Sequence, residues 1–384
     1  MPTRRQFLIG SGSMALVAGL LGPRSLRAQS STEPPRRWAA YANAIAIDAA
    51  GGLGGHDPYA EDGSLGPNDL ADARESGLTA VLMTLAPSGR FRFGHDSFEV
   101  TVQAIARSDR QIERYPEALI AVRTGADLDH AKREGKVGLI YGFQESSPLG
   151  EDPERIDLFQ SLGVRVIQLT HNRRNLVGDG CMEPGNAGLS DLGREIVARL
   201  NTQKVIVDLA HGGERTQREG IAASKSPMLI SHTGCRALSD LPRNTTDENL
   251  KAMADRGGVA GMVFWPYLRK QGQPMAEDLI RHIEHAIKVC GEDHVGLGTD
   301  ATVSPVDRTP QFEKDNREYI QQMIEDGVFE KGRSPDLYLF IPDLNHTRRF
   351  ETLAALLSRR GHSDARIGKV LGGNFARVMR EVWG

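Results

Sequence analysis

Short, almost continuously apolar runs recur along the chain, each six to nine residues long. A strand buried on both faces has this pattern, whereas a half-exposed strand alternates between apolar and polar residues. The runs therefore predict a parallel sheet that is covered by helices. The eight runs are NAIAID (43–48), LTAVLMTL (78–85), VGLIYGFQ (137–144), VRVIQLTH (164–171), KVIVDLAH (204–211), PMLISH (227–232), GGVAGMVFW (257–265) and HVGLGTD (294–300).

The segments between most of these runs have the apolar spacing of helices. Two examples are GLSDLGREIVARLNTQ (188–203) and TDENLKAMADRGG (246–258), for which Ser190 and Asp247 are predicted as N-cap residues. Eight strands that alternate with helices predict an α/β fold, the (β/α)8 TIM barrel. Residues 43–384 are expected to form this barrel as a single domain.

A doubly wound sheet is the alternative fold, but it would be expected to have a phosphate-binding GxGxxG loop after its first strand. The glycine-rich segment GGLGG (51–55) lacks that spacing and the acidic residue downstream. The barrel is therefore favoured. The long segment 304–336 contains the helical pattern EKDNREYIQQMIEDG, and it is expected to cover the barrel mouth or to form a subunit contact in a homodimer.

The first 28 residues have a different character. The pair Arg4-Arg5 precedes an apolar run that is interrupted by Gly and Ser. This pattern is typical of a twin-arginine export signal, here with cleavage after Ala28, and residues 29–42 form a Pro-containing lead-in. We therefore expect a periplasmic or secreted protein with no stable membrane span after cleavage. An uncleaved anchor is the alternative.

Composition narrows the class of partner. The chain has 47 basic and 50 acidic residues, a net charge of -3, which gives no basic surface for nucleic acid. A small-molecule substrate is therefore expected. The three cysteines are too few for a disulfide framework, although two of them could pair in an oxidising compartment.

The last residue of each predicted strand is informative, because the carboxyl ends of barrel strands meet at one cavity. One histidine at such a position is more often a core or loop residue than a ligand. Three histidines and two aspartates at equivalent positions indicate a functional site instead. The eight residues are Asp48, Leu85, Gln144, His171, His211, His232, Trp265 and Asp300.

Imidazoles with a nearby carboxylate form a ligand set that Zn²⁺ favours. A bound metal ion lowers the pKa of water and polarises a carbonyl, as hydrolysis of an amide or ester requires. Asp300 is then expected to move the proton, although a turn carboxylate is the alternative. Arg243, soon after the sixth strand, is expected to hold a substrate carboxylate, with a solvated loop arginine as the alternative.

A set of ordered motifs resembles the membrane (renal) dipeptidase family, zinc peptidases of the amidohydrolase superfamily. The resemblance covers most of the chain from about residue 40 to the end. It implies the amidohydrolase-like barrel and the hydrolysis of dipeptides. The matching motifs are QLTHN (168–172), EPGNAGLSDLGREIV (183–197), VDLAH (207–211), ISHTGCRALSDLPRN (230–244), RGGV (256–259), VGLGTD (295–300) and GGNFARV (372–378).

The resemblance also implies residue roles. His211 and His232 match the two histidines that bind one metal ion, and Asp300 matches an aspartate that binds the other ion and takes part in proton transfer. His171 matches the histidine that stabilises the tetrahedral intermediate. Arg243 matches the arginine that binds the carboxylate of the dipeptide.

Three positions depart from the family pattern. The family ends its first strand with Asp-Gly-His-x-Asp, whereas this chain has Asp-Ala-Ala-Gly-Gly at 48–52, so both ligands are missing. Gln144 replaces a bridging glutamate, and a neutral amide does not offset the repulsion between two dications. Trp265, the other candidate for substrate binding, stands where the family has a tyrosine.

A register shift that brings in Glu145, or His56 and Asp57, is an alternative source of ligands. It is disfavoured because a one-residue slip turns a strand side chain to the other face of the sheet. Cys181 is a further candidate as a thiolate near the site, although a small buried residue is the favoured interpretation.

The leading hypothesis is a hydrolase with one zinc ion, bound by His211 and His232 with Gln144 or Asp300 as a weaker third ligand. It is expected to act on a dipeptide or a related small amide that has a carboxylate. The alternatives are a single-metal hydrolase of a non-peptide substrate and a catalytically inactive binding or maturation protein.

Overall fold

The computed structural model describes residues 37–54, 65–86 and 96–384. The predicted export signal and the pair His56 and Asp57 lie outside the described residues. Within the described ranges, no helix combines the length and the apolarity that a membrane span needs.

The described chain contains a sheet in which every strand pair is parallel. The order is β10-β1-β2-β4-β5-β6-β7-β8-β9, and β3 pairs with β4 at the side. The strands are β1 (Ile47–Gly52), β2 (Ala80–Thr84), β3 (Leu119–Ala121), β4 (Val137–Phe143), β5 (Val164–Gln168), β6 (Ile206–Asp208), β7 (Leu229–Thr233), β8 (Val259–Val263), β9 (Val295–Gly298) and β10 (Ala301–Thr302).

Each of the eight predicted apolar runs overlaps a strand, but the predicted bounds need correction. The first strand is Ile47–Gly52 instead of 43–48, because Ala39–Asn43 forms a 3-10 helix. Asp48 is therefore the second residue of its strand, not the last. The short strands β3 and β10 were not predicted, since three and two residues are too few for a recognisable pattern.

The helices cover the outside of the sheet. Ser190 is confirmed as an N-cap, because its Oγ accepts from Gly193 N at 3.0 Å. The N-cap of the next helix but one is Thr246, so the prediction of Asp247 is wrong by one residue. The helices are α1 (Pro67–Ser76), α2 (Ser97–Arg114), α3 (Gly125–Glu134), α4 (Arg155–Ser161), α5 (Asp191–Thr202), α6 (Glu214–Ala223), α7 (Asp247–Ala254), α8 (Ala276–Cys290), α9 (Pro310–Glu325), α10 (Arg349–Arg359), α11 (Asp364–Gly368) and α12 (Asn374–Trp383).

The sheet is curled, because its last strand returns to its first. β10 comes two residues after β9 and pairs with β1, with Gly51 opposite Ala301. Asp300 N, in the link between β9 and β10, donates to Ala50 O at 2.6 Å. These bonds bring the carboxyl ends of β1 and β9 together.

The C-terminal helix α12 packs against the amino-terminal ends of the strands. The ring of Phe375 lies so close to β9 that a Cβ at Gly296 would lie 2.2 Å from it, which explains the glycine. This packing buries one end of the sheet in apolar contacts and leaves the carboxyl ends for the functional site. The first residues of five strands belong to this apolar cluster: Ile47, Ala80, Ile206, Leu229 and Val259.

Candidate metal centre

Three side chains that could bind a metal ion lie together at the carboxyl ends of the strands. His232 belongs to β7, His211 comes shortly after β6, and Asp300 lies between β9 and β10. One ligand atom of each residue lies within 4.8 Å of the others. The structure therefore brings together three of the residues that the sequence predicted as ligands.

A hydrogen-bond chain determines which nitrogen of His232 has the proton. Ser231 Oγ lies 2.5 Å from Asp208 Oδ2 and 2.8 Å from His232 Nδ1. A hydroxyl has one proton to donate, and the carboxylate of Asp208 accepts it, so Ser231 Oγ accepts from the Nδ1–H of His232. The Nε2 of His232 then retains its lone pair, as metal binding requires.

A hydrogen bond also fixes the proton of His211 on its Nδ1. Its Nδ1 donates to Asn172 Oδ1 at 2.8 Å, which leaves a lone pair on Nε2. The backbone of His211 has a φ of 58°, in the left-handed region that a residue with a Cβ adopts at a cost of about 1–2 kcal/mol. A bond from Cys181 N to His211 O, 2.6 Å long, stabilises this turn.

The two Nε2 atoms lie 2.9 Å apart. With both ring protons on Nδ1, two lone pairs face each other, an unfavourable contact that a cation would relieve. Two nitrogen ligands at about 2.0–2.1 Å from one tetrahedral Zn²⁺ are separated by about 3.3–3.4 Å, so a shift of the two rings apart by about 0.5 Å would allow both to bind one ion. Burial, and then the positive charge of Arg243, hold the pKa of both histidines well below its usual value. The neutral donor set therefore fits a divalent metal ion.

Asp300 lies opposite the histidines. Its Oδ2 is 3.9 Å from His232 Nε2, and its Oδ1 accepts from Gln144 Nε2 at 3.5 Å. Trp265 Nε1 donates to the backbone oxygen of Asp300 at 2.8 Å. Burial raises the pKa of Asp300, while the charge of Arg243 and the bond from Gln144 act against that rise. A carboxyl group with a raised pKa is suited to accept and return a proton.

The wall formed by β1 has a different construction. The segment 49–52 offers only methyl groups and glycines, so this strand supplies no imidazole to the site. The carboxylate of Asp48 accepts from Thr299 Oγ1 at 2.6 Å and from Thr299 N at 2.8 Å. Burial raises the pKa of Asp48 to about 6. Asp48 therefore links β1 to the end of β9 and is not part of the group of three.

The structure does not place Glu145 with the candidate ligands. Its Oε1 accepts from Asn175 Nδ2 at 2.8 Å, on the loop after β5. A register shift that would bring Glu145 into the group is therefore unsupported. His56 and Asp57, the other residues of that alternative, lie outside the described residues.

His171 and Arg243 border the group of three. The ring of His171 stacks on that of His211 with 4.2 Å between centroids, and burial together with the charge of Arg243 lowers the pKa of His171 to about 3. Arg243 is only 1% exposed, so the alternative of a solvated loop arginine is wrong. Its Nη1 donates to His232 O at 2.9 Å, whereas Nε and Nη2 have no hydrogen-bond partner among the described residues.

Cys181 lies beside the site as a neutral thiol. Its Sγ is 3.5 Å from Asn172 Oδ1, and burial raises the pKa of the thiol to about 11. It is not a member of the group of three. The interpretation as a small buried residue is therefore favoured over that of a thiolate ligand. All three cysteines are free and buried, so the structure contains none of the pairings that the sequence left open.

Three residues that orient the histidines were missed in the sequence. Asn172 comes directly after His171, Ser231 directly precedes His232, and Asp208 lies three residues before His211. Polar residues beside candidate ligands are the available signal, because metal-binding histidines usually donate their second ring N–H to such partners.

Residues 56–330 match the model of the membrane dipeptidase family, peptidase family M19. The chain belongs to this family. The dipeptidase verJ of Clonostachys rogersoniana is 30% identical over 290 residues, which are 75% of this chain and 66% of the relative. The dipeptidase tcpJ of Claviceps purpurea is 27% identical, over 75% of this chain and 61% of the relative. The matched part thus spans slightly less than two thirds of these two relatives.

Solved structures agree with this membership. An amidohydrolase from Pseudomonas aeruginosa has 32% identity and a TM-score of 0.74, covering 90% of this chain and 98% of its own. A metallopeptidase from Rhodobacter sphaeroides, liganded with a phosphinate mimic of the dipeptide L-Ala-D-Ala, has 19% identity and a TM-score of 0.69 over 88% of this chain and 100% of its own. The second likeness shows the fold alone. The curled parallel sheet is therefore the amidohydrolase-like fold of the family.

Proposed function

We propose that the protein is a hydrolase that uses one zinc ion to cleave a dipeptide or a related small amide. The main support is the pair of Nε2 lone pairs of His211 and His232, 2.9 Å apart and each fixed by a hydrogen bond to the other ring nitrogen. Asp300 or Gln144 is the weaker third ligand. Family membership, and the dipeptidase names of the relatives, point to the same class of reaction.

A bound zinc ion supplies a Lewis acid and lowers the pKa of water. Asp300, whose pKa burial raises, accepts a proton from the attacking water and returns it to the leaving amine. His171 stays neutral because its pKa is about 3, and its ring N–H donates to the oxygen of the former carbonyl group. His171 therefore acts near neutral pH in a single, neutral protonation state.

The substrate in this proposal has a free carboxylate. Arg243 is buried, and two of its nitrogen atoms have no hydrogen-bond partner among the described residues. A buried cation with unused N–H groups binds an anion strongly, and a guanidinium matches the shape of a carboxylate. Trp265 contributes the flat face of its ring to the same wall.

The alternatives rest on the β1 wall. Ala50 and Gly52 stand where the resemblance implies metal ligands, and Gln144 stands where it implies a bridging glutamate. A site with ligands on one side only is compatible with single-metal hydrolysis of a non-peptide substrate. It is also compatible with a binding or maturation protein that retained the fold without turnover.

The proposal also covers the closure of the barrel, the location of the protein and its oligomeric state. We retain the closed (β/α)8 barrel, to which the pairing of β10 with β1 lends support. We also retain export by the twin-arginine signal, removal of residues 1–28, work in the periplasm or outside the cell, and assembly as a homodimer. A protease-protection assay on cells that express the full chain tests the location, because a cytoplasmic product would contradict export.

The deciding experiment measures zinc per chain and turnover in the same preparation. The mature protein is purified without chelators, analysed for metal, and assayed against a panel of dipeptides that includes L-Ala-D-Ala. About one zinc per chain with turnover supports the proposal. Two ions per chain would mean that residues such as His56 and Asp57 supply further ligands. Absence of turnover after loading with zinc would favour the binding protein.

A further inference from the structure

The segment between β10 and α10 contains a helix, α9, to which the proposed chemistry gives no role. The helix, Pro310–Glu325, has 16 residues and is therefore about 24 Å long. The chain just before it is tied to the segment that precedes α10, because Val306 N donates to Asn345 Oδ1 and Asn345 Nδ2 donates to Val306 O, both at 2.8 Å. Arg349, in turn, donates to Thr302 O of β10 at 3.0 Å. The helix thus begins on the β10 side of the site.

The other end of α9 lies on the opposite side of the sheet. Arg173 is two residues after His171, on the loop that follows β5. Its Nη2 donates at 2.8 Å to Asp326 O, directly after the helix. In the strand order, β5 lies four strands from β9 in one direction and four strands from β10 in the other. A helix that begins near β10 and ends near β5 therefore passes over the site between them.

The chain after α9 is attached to a third wall. Arg333 Nη2 donates at 2.9 Å to Pro266 O, in the turn after β8. Phe329 packs on the ring of Tyr267, with 5.4 Å between centroids. Phe329 and Arg333 are both buried. Three attachments, at β10, β5 and β8, thus hold the helix as a cover over the metal centre.

Most apolar side chains of α9 hold the helix in place. Ile320 and Met323 belong to the main hydrophobic cluster, and Phe312 packs on Tyr338 with 6.3 Å between centroids. Tyr319, in the middle of the helix, differs from these buried residues because it is 40% exposed. Its side chain is therefore available to contact a bound molecule.

The hydroxyl of Tyr319 lies on the site side of the helix. Residues seven apart share one stripe of a helix, and Tyr319 shares its stripe with the buried Phe312 and with Asp326, whose carbonyl accepts from Arg173. Burial raises the pKa of the Tyr319 hydroxyl, and the negative charges of Asp300 and Asp326 raise it further. A phenol that is shielded from water and close enough to feel the charge of Asp300 lies beneath the cover, beside the candidate ligands.

We infer that α9 limits the length of the substrate, and that Tyr319 is the side chain that collides with any residue beyond a dipeptide. In the proposed function Arg243 binds the carboxyl end of the substrate, so additional residues extend from the amino end. The apolar packing of α12 closes the other end of the sheet, so an extended chain has to leave past α9. The inference rests on the proposed function for the class of substrate, and it adds the residue that selects for size.

The test compares Tyr319→Ala and Tyr319→Phe with the wild type, on the best dipeptide of the panel and on a tripeptide that adds one residue at its amino end. Alanine removes the ring and suits a helix, since it has the highest helix propensity. Tyr319→Leu, which removes part of the ring volume, takes its place if Tyr319→Ala does not fold. Phenylalanine retains the ring and removes only the hydroxyl.

Gln321→Ala is the matched control. Gln321 is exposed on the opposite face of α9, where its Nε2 donates to Glu325 Oε1 at 3.1 Å. Circular dichroism and zinc content establish that each variant is folded and loaded.

Removal of the Tyr319 ring should raise the ratio of kcat/KM for the tripeptide to kcat/KM for the dipeptide by about tenfold or more. A misfit of even one methylene in a pocket is worth about 10- to 200-fold, and the ring is larger than that. The kcat/KM for the dipeptide should stay within about threefold. Tyr319→Phe should retain the wild-type ratio, because the volume of the ring excludes the longer chain. A ratio that is unchanged in Tyr319→Ala, or that rises equally in Gln321→Ala, overturns the inference.

Failure of the proposed function has a separate signature. If the zinc-loaded wild type hydrolyses no dipeptide, the proposed function is wrong, and calorimetry decides the role of Tyr319. The two ligands are the phosphinate mimic of L-Ala-D-Ala and the same mimic extended by one residue at its amino end. Tyr319→Ala should lower the Kd of the extended mimic about tenfold more than that of the short one. Equal changes in the two Kd values, or no binding of either mimic, overturn the inference.

Discussion

Two buried aspartates, on opposite walls of the site, make nearly the same hydrogen bonds. Asp208 accepts from Ser231 Oγ at 2.5 Å and from Ser231 N at 2.9 Å, both on the neighbouring strand. Asp48 accepts from Thr299 Oγ1 at 2.6 Å and from Thr299 N at 2.8 Å. Each carboxylate also accepts from the backbone N–H two residues further along its own chain segment. The two walls therefore share one device for joining strand ends.

The walls differ in the residue that comes three positions after each aspartate. It is His211 after Asp208 and Gly51 after Asp48. This hydrogen-bond arrangement therefore does not depend on metal-binding side chains. The carboxylate of Asp48 joins the ends of β1 and β9 although β1 has no candidate metal ligand after it. The residues after Ser231 and Thr299 are His232 and Asp300, so each device still positions one candidate ligand. This difference favours one ion, bound at the β6 and β7 side.

The largest effect is expected from removal of a histidine on the ligand-bearing wall. His211→Ala or His232→Ala leaves at most two of the three grouped donors, so we expect zinc per chain to fall close to zero and kcat/KM to drop by about 1,000-fold or more. Elemental analysis and dipeptide kinetics measure both. His285→Ala is the control, since His285 pairs with Asp247 outside the group. Wild-type zinc content in either site variant would contradict the assignment of the metal ion to the two histidines.

The second-largest effect is expected for Asp48, whose strand, β1, has no candidate metal-binding side chain after it. The pKa of Asp48 is about 6 in the folded protein, against an ordinary value of 3.8. Between pH 3.8 and pH 6, Asp48 is therefore protonated in the folded protein but ionised in the unfolded chain. The folded state then binds more protons, and the free energy of unfolding falls as pH rises through this window. The loss is about 3 kcal/mol for a shift of about two pKa units.

Asp48→Asn cannot ionise and tests this cost. We expect the difference in unfolding free energy between the variant and the wild type to move by about 3 kcal/mol in favour of the variant between pH 3.5 and pH 7. Urea unfolding at both pH values, monitored by circular dichroism, provides the measurement. Zinc affinity should change little. A difference that is independent of pH would show that Asp48 ionises normally.

A smaller effect is expected from Asp208→Asn. This change weakens the bond that aligns Ser231 with His232, and loss of such a partner typically reduces metal affinity by about 10- to 100-fold. Competition with a zinc chelator measures the affinity, with Asp48→Asn as the matched change on the opposite wall. Equal losses of affinity in both variants would show that the two walls contribute alike, against the comparison.

The sequence predicted the site better than the elements that form it. His211 and Asp300 were predicted as strand ends, but both lie just beyond a strand in turns with φ of 58° and 54°. Side-chain type and approximate position survive such an error, because every loop at this end of the sheet faces the same cavity. The bounds of β1 failed for a different reason, since an apolar run does not distinguish a strand from a preceding 3-10 turn.

The sequence did not reveal which distant residues form hydrogen bonds with each other. The bond between Asp208 and Ser231 joins residues 23 positions apart, and that between Asp48 and Thr299 joins residues 251 apart. Hydroxyl and carboxyl residues are too common in a chain of this length for such pairs to be recognised without the register of the strands.

The smallest change that sharpens the comparison is Gln144→Glu, which returns a negative charge to the β4 side of the site. Gln144 Nε2 lies 3.5 Å from Asp300 Oδ1, so the new carboxylate would face Asp300 at short range. With one zinc ion bound by the histidines, two carboxylates this close disfavour joint ionisation, and the pKa of Asp300 should rise further. Activity needs the ionised form of Asp300 as proton acceptor, so the acidic limb of the kcat/KM profile should move to higher pH by about one unit, a loss of about tenfold on that limb.

Gln144→Met, which removes the hydrogen bond without adding charge, should shift the limb much less. If the glutamate instead recruits a second zinc ion, the limb moves to lower pH and the metal content doubles, and the absence of β1 ligands would then not be what limits this site to one ion.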